Sequence, residues 1–409
     1  MQVSRLIITV LAAGALGGCD NSPGKTPPVL VDDLASAPRI TDAGHGDRSE
    51  LEQVAGGPAG QVPSQTIAPG FPKQADPAQA ELDHVGLGVI DLKGRVAYDG
   101  EHLALPTLLV TVGEYLVGVD NRADTLLYVL DRQSGQLLRS FGRRGEGPGE
   151  FRSIYSLDPI AGSNSRLWAY DVQLRRLTLV DVEAAGSGPE HYAIRVLPLQ
   201  VTSTIAATAW VGDSIASTGF FPAGRITYLD SNGVAIGTAG TLPPGDSRTP
   251  ANVRQHAYQG LLVVRPDRSR MAVLTRHLGQ VEIFASAGEL LRTVTGPYLF
   301  EPRYRVVRSS GENVMGTDTD LRFGYIAAAA TDRVFVGLFS GRTRAGFPDA
   351  ATFGTFVHVF DWDGNLLRVL RLDHAGIGMA LDEHEEVLYV VVHDPAPSIL
   401  RYELSGLIM

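Results

Sequence analysis

The 409-residue sequence contains one cysteine, Cys19. A single thiol excludes an internal disulfide and any zinc site built from several thiolates. A basic excess is also missing: 35 Lys and Arg stand against 45 Asp and Glu, a formal net charge of −10. Binding nucleic acid irrespective of its sequence requires a basic surface, so no nucleic-acid partner is expected. No HExxH, HxH or GxSxG signature occurs, so neither a zincin site nor a nucleophile elbow is encoded. DWDGN (361–365) echoes a calcium loop but lacks the downstream acidic ligand. DEHEEV (382–387) has metal-like composition but falls where a short turn belongs. No cofactor, metal or catalytic residue is expected from these patterns.

What is present begins with an address. MQVSRLIITVLAAGALGGCD (1–20) joins Arg5, an apolar run from Leu6 to Leu16 and a group of small residues. That is the plan of a secretory signal peptide, and the run is well short of the roughly 20 residues of a spanning helix. Its exit, Leu16-Gly17-Gly18-Cys19, resembles the lipobox of bacterial lipoproteins. The resemblance implies cleavage after residue 18, acylation of Cys19, and an exported protein anchored at the cell envelope, facing the periplasm or the surface. Several acyl chains, at about 0.8 kcal/mol per buried methylene, hold a protein firmly, so the membrane is an expected partner. Residues 19–83 read as a disordered tether: 20–83 carry nine prolines, seven glycines, ten acidic and four basic residues, and one aromatic, Phe71. Such a stretch buries too little apolar surface to offset the entropy of ordering it.

From residue 84 the texture becomes one of short alternating runs bounded by Gly, Asn and Asp, the mark of β-strands. A strand–turn–strand phrase recurs in LLYVLDRQSGQLLRSFG (126–142), RRLTLVDVEAAG (175–186), ITYLDSNGVAIGTAG (226–240), VEIFASAGELLRTVTG (281–296) and VHVFDWDGNLLRVLRL (357–372). A last half copy is ILRYEL (399–404). Further strands precede each copy, which predicts four strands per unit and six units. The expected fold is all-β: one six-bladed β-propeller over 84–409. GLGVIDLKGRVAY (86–98) is left over, and the sixth unit lacks an outer strand. The spare segment is therefore expected to complete it and remove an open edge.

The glycine-rich stretch FGRRGEGPGEF (141–151) has no Lys-Ser/Thr and no following helix, so it is read as an interblade connection, not a phosphate loop. Followed by Asp158, LWAYD and RRLTLVD, it resembles an NHL-type repeat, and the chain is similar to secreted six-bladed propeller lipoproteins. That likeness implies a fold and says little about chemistry.

Topology sorts the loops. With strands a to d counted from the axis outward, the b–c and d–a connections share one face, and the a–b and c–d turns share the other. The long insertions at 241–258, 297–321 and 340–354 all fall on the first face. It is expected to be rich in arginine and to bind an anionic ligand or an acidic protein surface. The candidates are Arg152, Arg254, His256, Arg303, Arg305, Arg308, Arg322, Arg342, Arg344 and His374, the last placed near the axis at the start of the sixth inner strand. The expected function is non-enzymatic binding by a monomer. The alternative is a hydrolase or lactonase working at the central channel.

Overall fold

The computed structural model describes residues 88–408 apart from 187, 222, 243–248 and 310. The signal peptide (1–18), Cys19 and the tether (19–83) lie outside the described residues.

Strands β1 (Val89–Leu92) and β2 (Arg95–Tyr98) come first. Blade one is β3 (Pro106–Val112), β4 (Tyr115–Asp120), β5 (Thr125–Asp131) and β6 (Leu137–Arg143). Blade two is β7 (Ile154–Pro159), β8 (Arg166–Asp171), β9 (Arg176–Asp181) and β10 (Ala193–Pro198). Blade three is β11 (Ile205–Val211), β12 (Ser214–Gly219), β13 (Ile226–Leu229) and β14 (Ala235–Ala239). Blade four is β15 (Gly260–Val264), β16 (Arg270–Thr275), β17 (Gln280–Ala285) and β18 (Leu290–Thr295). A hairpin, β19 (Tyr304–Ser309) and β20 (Glu312–Thr317), separates it from blade five. Blade five is β21 (Tyr325–Ala330), β22 (Val334–Phe339), β23 (Gly354–Asp361) and the first half of β24 (Leu366–Asp382). Blade six is the second half of β24, β25 (Val387–Val392) and β26 (Ser398–Glu403).

The inner strands neighbour one another in turn: β3 with β7, then β11, β15, β21 and β24, and β24 again with β3. That ring makes the architecture a six-bladed propeller. Its apolar core is distributed in the same way, as one buried cluster between each pair of adjacent blades. Phe141, Phe151 and Leu167 join blades one and two, and Phe335, Phe356 and Leu274 join four and five. Strands buried on both faces explain the continuous apolar runs of the b and c strands, such as VLYVVV in β25.

The ring closes as its edge demands. β2 pairs antiparallel with β26 and supplies the missing outer strand of blade six. Two features differ from the sequence reading. β1 adds to blade five as a fifth strand, parallel to β24, and Asp91 holds Arg371 through two hydrogen bonds of 2.5 and 2.8 Å. No loop separates blades five and six: β24 runs from the rim of one to the axis of the other.

The aspartates that end b strands have a mechanical role. Asp171 accepts from the backbone N–H of Arg152 (2.6 Å) and Ser153 (3.2 Å) in the incoming d–a connection, and of Gln173 (2.9 Å) and Leu174 (3.0 Å) in its own turn. Asp120 does the same for Ala104, Leu105, Arg122 and Ala123. One carboxylate thus satisfies four donors that no ladder reaches. The stretch 141–151 is the d–a connection expected of it. Phe141 and Phe151 are buried, and Arg176 donates to the carbonyls of Glu146, Gly147 and Glu150 at 2.7 Å each. Gly149 sits at φ 72°, and a Cβ there would lie 2.8 Å from the Tyr192 ring.

One buried histidine sets an acid limit. His358 on β23 is 1% exposed, and its Nδ1 lies 3.1 Å from the Tyr325 hydroxyl. Burial pulls its pKa down to about 3, whereas an unfolded chain titrates near 6.5. The folded pKa is depressed, so the unfolded state takes up the extra proton. Stability from this group is complete above about pH 6.5 and falls as pH drops, levelling near about pH 3. Urea unfolding of wild type should therefore lose about 1.4 kcal/mol per pH unit from this residue below about pH 6. His358→Gln should flatten that slope; identical slopes in the two proteins would refute it.

Candidate functional site

The six inner strands enclose an axial channel. Their outward-alternating residues pack between blades, and the others face the axis. Leu108, Val110, Leu157, Ala206, Leu262 and Ala328 are half-buried there and give an uncharged wall. The channel comprises two adjoining cavities of about 210 and 330 Å³, which share Leu109, Val110, Ser156, Leu157, Leu262 and Ala328.

Its upper end opens among the long connections. His256 ends the short helix Ala251–Ala257 above β15, and Arg276 follows β16 directly. Both line the mouth, with Gln259, Thr204, Tyr155 and Phe220. They are well packed: His256 is 8% and Arg276 6% exposed, and the His256 ring lies 4.7 Å from that of Phe220. Among the described residues no aspartate or glutamate lines this upper cavity.

The lower cavity holds a largely buried ion pair. Arg268, on the a–b turn of blade four, donates to Asp158 Oδ1 of blade two (2.8 Å), to the Trp210 carbonyl of blade three (3.1 Å) and to the Pro159 carbonyl. Asp158 also accepts from the Trp210 N–H at 2.8 Å. Arg268 adopts φ 62°, a left-handed conformation uncommon outside glycine. Its three-blade contact is the surrounding structure that holds it there. Burial pushes the Asp158 carboxyl up from its ordinary value, and the adjacent Arg268 charge works against that shift.

The residues picked from the sequence are dispersed. Only His256 lines the channel. Arg152 pairs with Glu146, Arg303 with Asp320 (3.0 Å) and Arg305 with Asp318 (2.8 Å), all on the long-loop face. Arg308 is exposed on β19, and Arg254 lies on the short helix. Arg322, Arg342 and Arg344 converge with Arg276 on aromatic rings. Arg276 and Arg344 lie 5.9 and 5.7 Å from the Phe323 centroid, Arg342 4.8 Å from Phe347, and Arg322 5.1 Å from Tyr298. His374 is not beside the axis: its Nδ1 lies 3.0 Å from Asp373, which accepts from Gly94 N–H and Tyr402 O–H at the rim. Because β24 continues through this point, the residue read as a strand start is mid-strand. Tyr298 and Phe300, on the long connection 297–321, pack on Phe339 of blade five.

Arg276, Gln259, Phe220 and Arg268 were passed over in the sequence. The topology held the signal for Arg276, since a residue just after a b strand belongs on the long-loop face. Asp382, where a metal site could be imagined from DEHEEV, caps its own turn through the N–H groups of His384 and Glu385. Among the described residues no group of three potential His, Cys, Asp or Glu ligands gathers.

Comparison with solved structures finds the β-propeller domain of Myceliophteria thermophila Cps50 (Swd1), 12% identical at a TM-score of 0.44, covering 76% of this chain and 99% of that one. The RRP9 WD40 repeats (12%, 0.46) and U3-55K (11%, 0.46) each match 76% of this chain, and 97% and 98% of their own. No curated protein matches the sequence. A family model for TolB-like 6-blade propeller-like proteins matches residues 94–384, from β2 into blade six. The chain belongs to the TolB-like six-bladed propeller family.

Proposed function

We propose that this protein is a cell-envelope lipoprotein, anchored through acylated Cys19, whose propeller is a non-enzymatic binding module working through its long-loop face. The observation that carries the reading is the channel mouth. His256 and Arg276 stand at the upper end of the channel, above a mostly apolar cavity and among the longest connections of the fold. Long loops on a rigid scaffold are the usual place for recognition. An arginine–aromatic cluster adjoins the mouth through Arg276 and Phe323. Arginines among the long connections match carboxylates in charge and geometry, so an anionic ligand or an acidic protein surface fits this face. The signal sequence and lipobox support export and anchoring. The finer likeness to NHL-type repeats is supported by Asp120 and Asp171, each of which ties an incoming connection to the turn after a b strand.

The test is capture from solubilised membranes. The full chain should retain a partner that is lost, by about tenfold or more, when Arg303, Arg305 and Arg308 are all changed to Glu. These are exposed rim residues, so the variant should melt like wild type. Undiminished capture by a folded variant would refute a role for this face.

A further inference from the structure

We propose that the axial channel binds a single-chain amphipathic carboxylate, such as a medium-chain fatty acid, with its tail along the wall and its head group at His256 and Arg276. This rests on the binding reading above and names the ligand class for the same site.

Three features select that chemistry. The first is the wall. The lower cavity adds Thr111, Asp158, Ser163, Thr208 and Arg268, whereas the upper one, from Leu108 and Ala206 to Leu262 and Ala328, is mostly apolar. Water finds few partners there, whereas a hydrocarbon chain gains from leaving water. A compact polar ligand would lose its hydration to a wall that cannot replace it.

The second is the asymmetry of the mouth. Arg276 and His256 both come from the blade-four side, with Gln259 and Thr204 as neutral hydrogen-bonding groups beside them. With no carboxylate among the described residues that line this end, a cationic head group would face a guanidinium. A neutral alcohol would take hydrogen bonds but no charge-assisted ones. A carboxylate matches both the charge and the fork geometry of arginine.

The third is the lower end. Arg268 reaches from blade four to blades two and three and is bound to Asp158. The pair lines the lower cavity, and an apolar tail that reaches it meets two charged groups, which sets a length limit. The two cavities together fall in the range of small-molecule sites, and their order along the axis suits a ligand that is long and narrow.

The experiment is calorimetric titration of the full chain carrying Cys19→Ser, which keeps it free of acyl groups in detergent-free buffer. The probes are octanoate, decanoate, dodecanoate, decanol and decyltrimethylammonium. Affinity should rise by about fourfold per added methylene between octanoate and decanoate, and stop rising once the tail meets Arg268. Decanol and decyltrimethylammonium should bind at least about tenfold more weakly than decanoate. Arg276→Gln should weaken decanoate by about tenfold while leaving decanol unchanged. Ala328→Phe, which fills the wall, should abolish all binding; if it does not fold, Ala206→Leu is the replacement, and the wild-type length series stands without either. The proposal is overturned if decanoate gives no heat, if the cationic probe binds as well as decanoate, or if a folded wall variant binds normally. Partner capture that still depends on Arg303, Arg305 and Arg308 while decanoate fails would sink the channel ligand alone.

Discussion

Removing residues 88–98 should cost the propeller most of its stability. The deletion takes away β2, and with it the antiparallel ladder to β26 that closes the ring. It exposes the N–H and C=O groups of β26, leaving a largely buried c strand as the open edge of blade six. Ala97 and Tyr98 leave the cluster between blades six and one, and Ile90 and Leu92 leave the one between five and six. Gly94 N–H no longer satisfies Asp373, and the Asp91–Arg371 pair is lost. Several hydrogen bonds at about 1 kcal/mol each and several apolar side chains at about 1.5–3 kcal/mol add to about 10 kcal/mol. That matches the whole stability of a typical domain. Thermal unfolding should show a midpoint lowered by more than about 15 °C, or no cooperative transition. Supplying a peptide of residues 88–98 should restore part of the loss. By contrast, deleting 21–80 should leave the midpoint within about 2 °C. Equal melting of the two deletions would show that the ring closes without β2.

The second large effect is expected at Arg225. Its Nε donates to Glu282 Oε2 at 2.6 Å, one terminal nitrogen donates to Thr275 Oγ1 at 2.8 Å, and the other to the Tyr258 carbonyl. Arg225 is 5% and Glu282 4% exposed, at the seam between blades three and four. Removing one partner strands a buried charge, so Arg225→Met should destabilise by about 3–5 kcal/mol. Glu282→Gln keeps an acceptor but loses the charge, leaving Arg225 uncompensated, and should cost less. Replacing both, as Arg225→Met with Glu282→Leu, should recover much of the loss, because a buried pair contributes little net stability over a packed apolar pair. Urea midpoints for wild type, Arg225→Met, Glu282→Leu and the double variant close a double-mutant cycle. Strictly additive costs, or a loss below about 1 kcal/mol for Arg225→Met, would mean the pair is not coupled as its geometry requires.

Arg225 also shows where sequence reading fails. It stands in a b–c connection, which belongs to the long-loop face expected to be rich in arginine. The turn bends inward, and the side chain enters the core to meet Glu282. Arg303 and Arg305 fail differently: the face is right, but Asp320 and Asp318 lie beside them and balance their charge. Arg268 offered no local signal at all. Its role depends on Asp158 and Trp210, which are 110 and 58 residues away. Only closing the ring brings those blades around one axis.

The sequence by itself determined the all-β class, the repeat of six, the sorting of loops between two faces, and the spare N-terminal strand. Each follows from local chemistry: alternation with period two, turn residues at fixed offsets, and the alternating direction of a meander. The tertiary structure decided the rest. It placed β1 as a parallel fifth strand, ran β24 through two blades, moved His374 to the rim, and brought His256 and Arg276 to the mouth of the axial channel. Those outcomes depend on contacts between residues far apart in the chain, which no local pattern records.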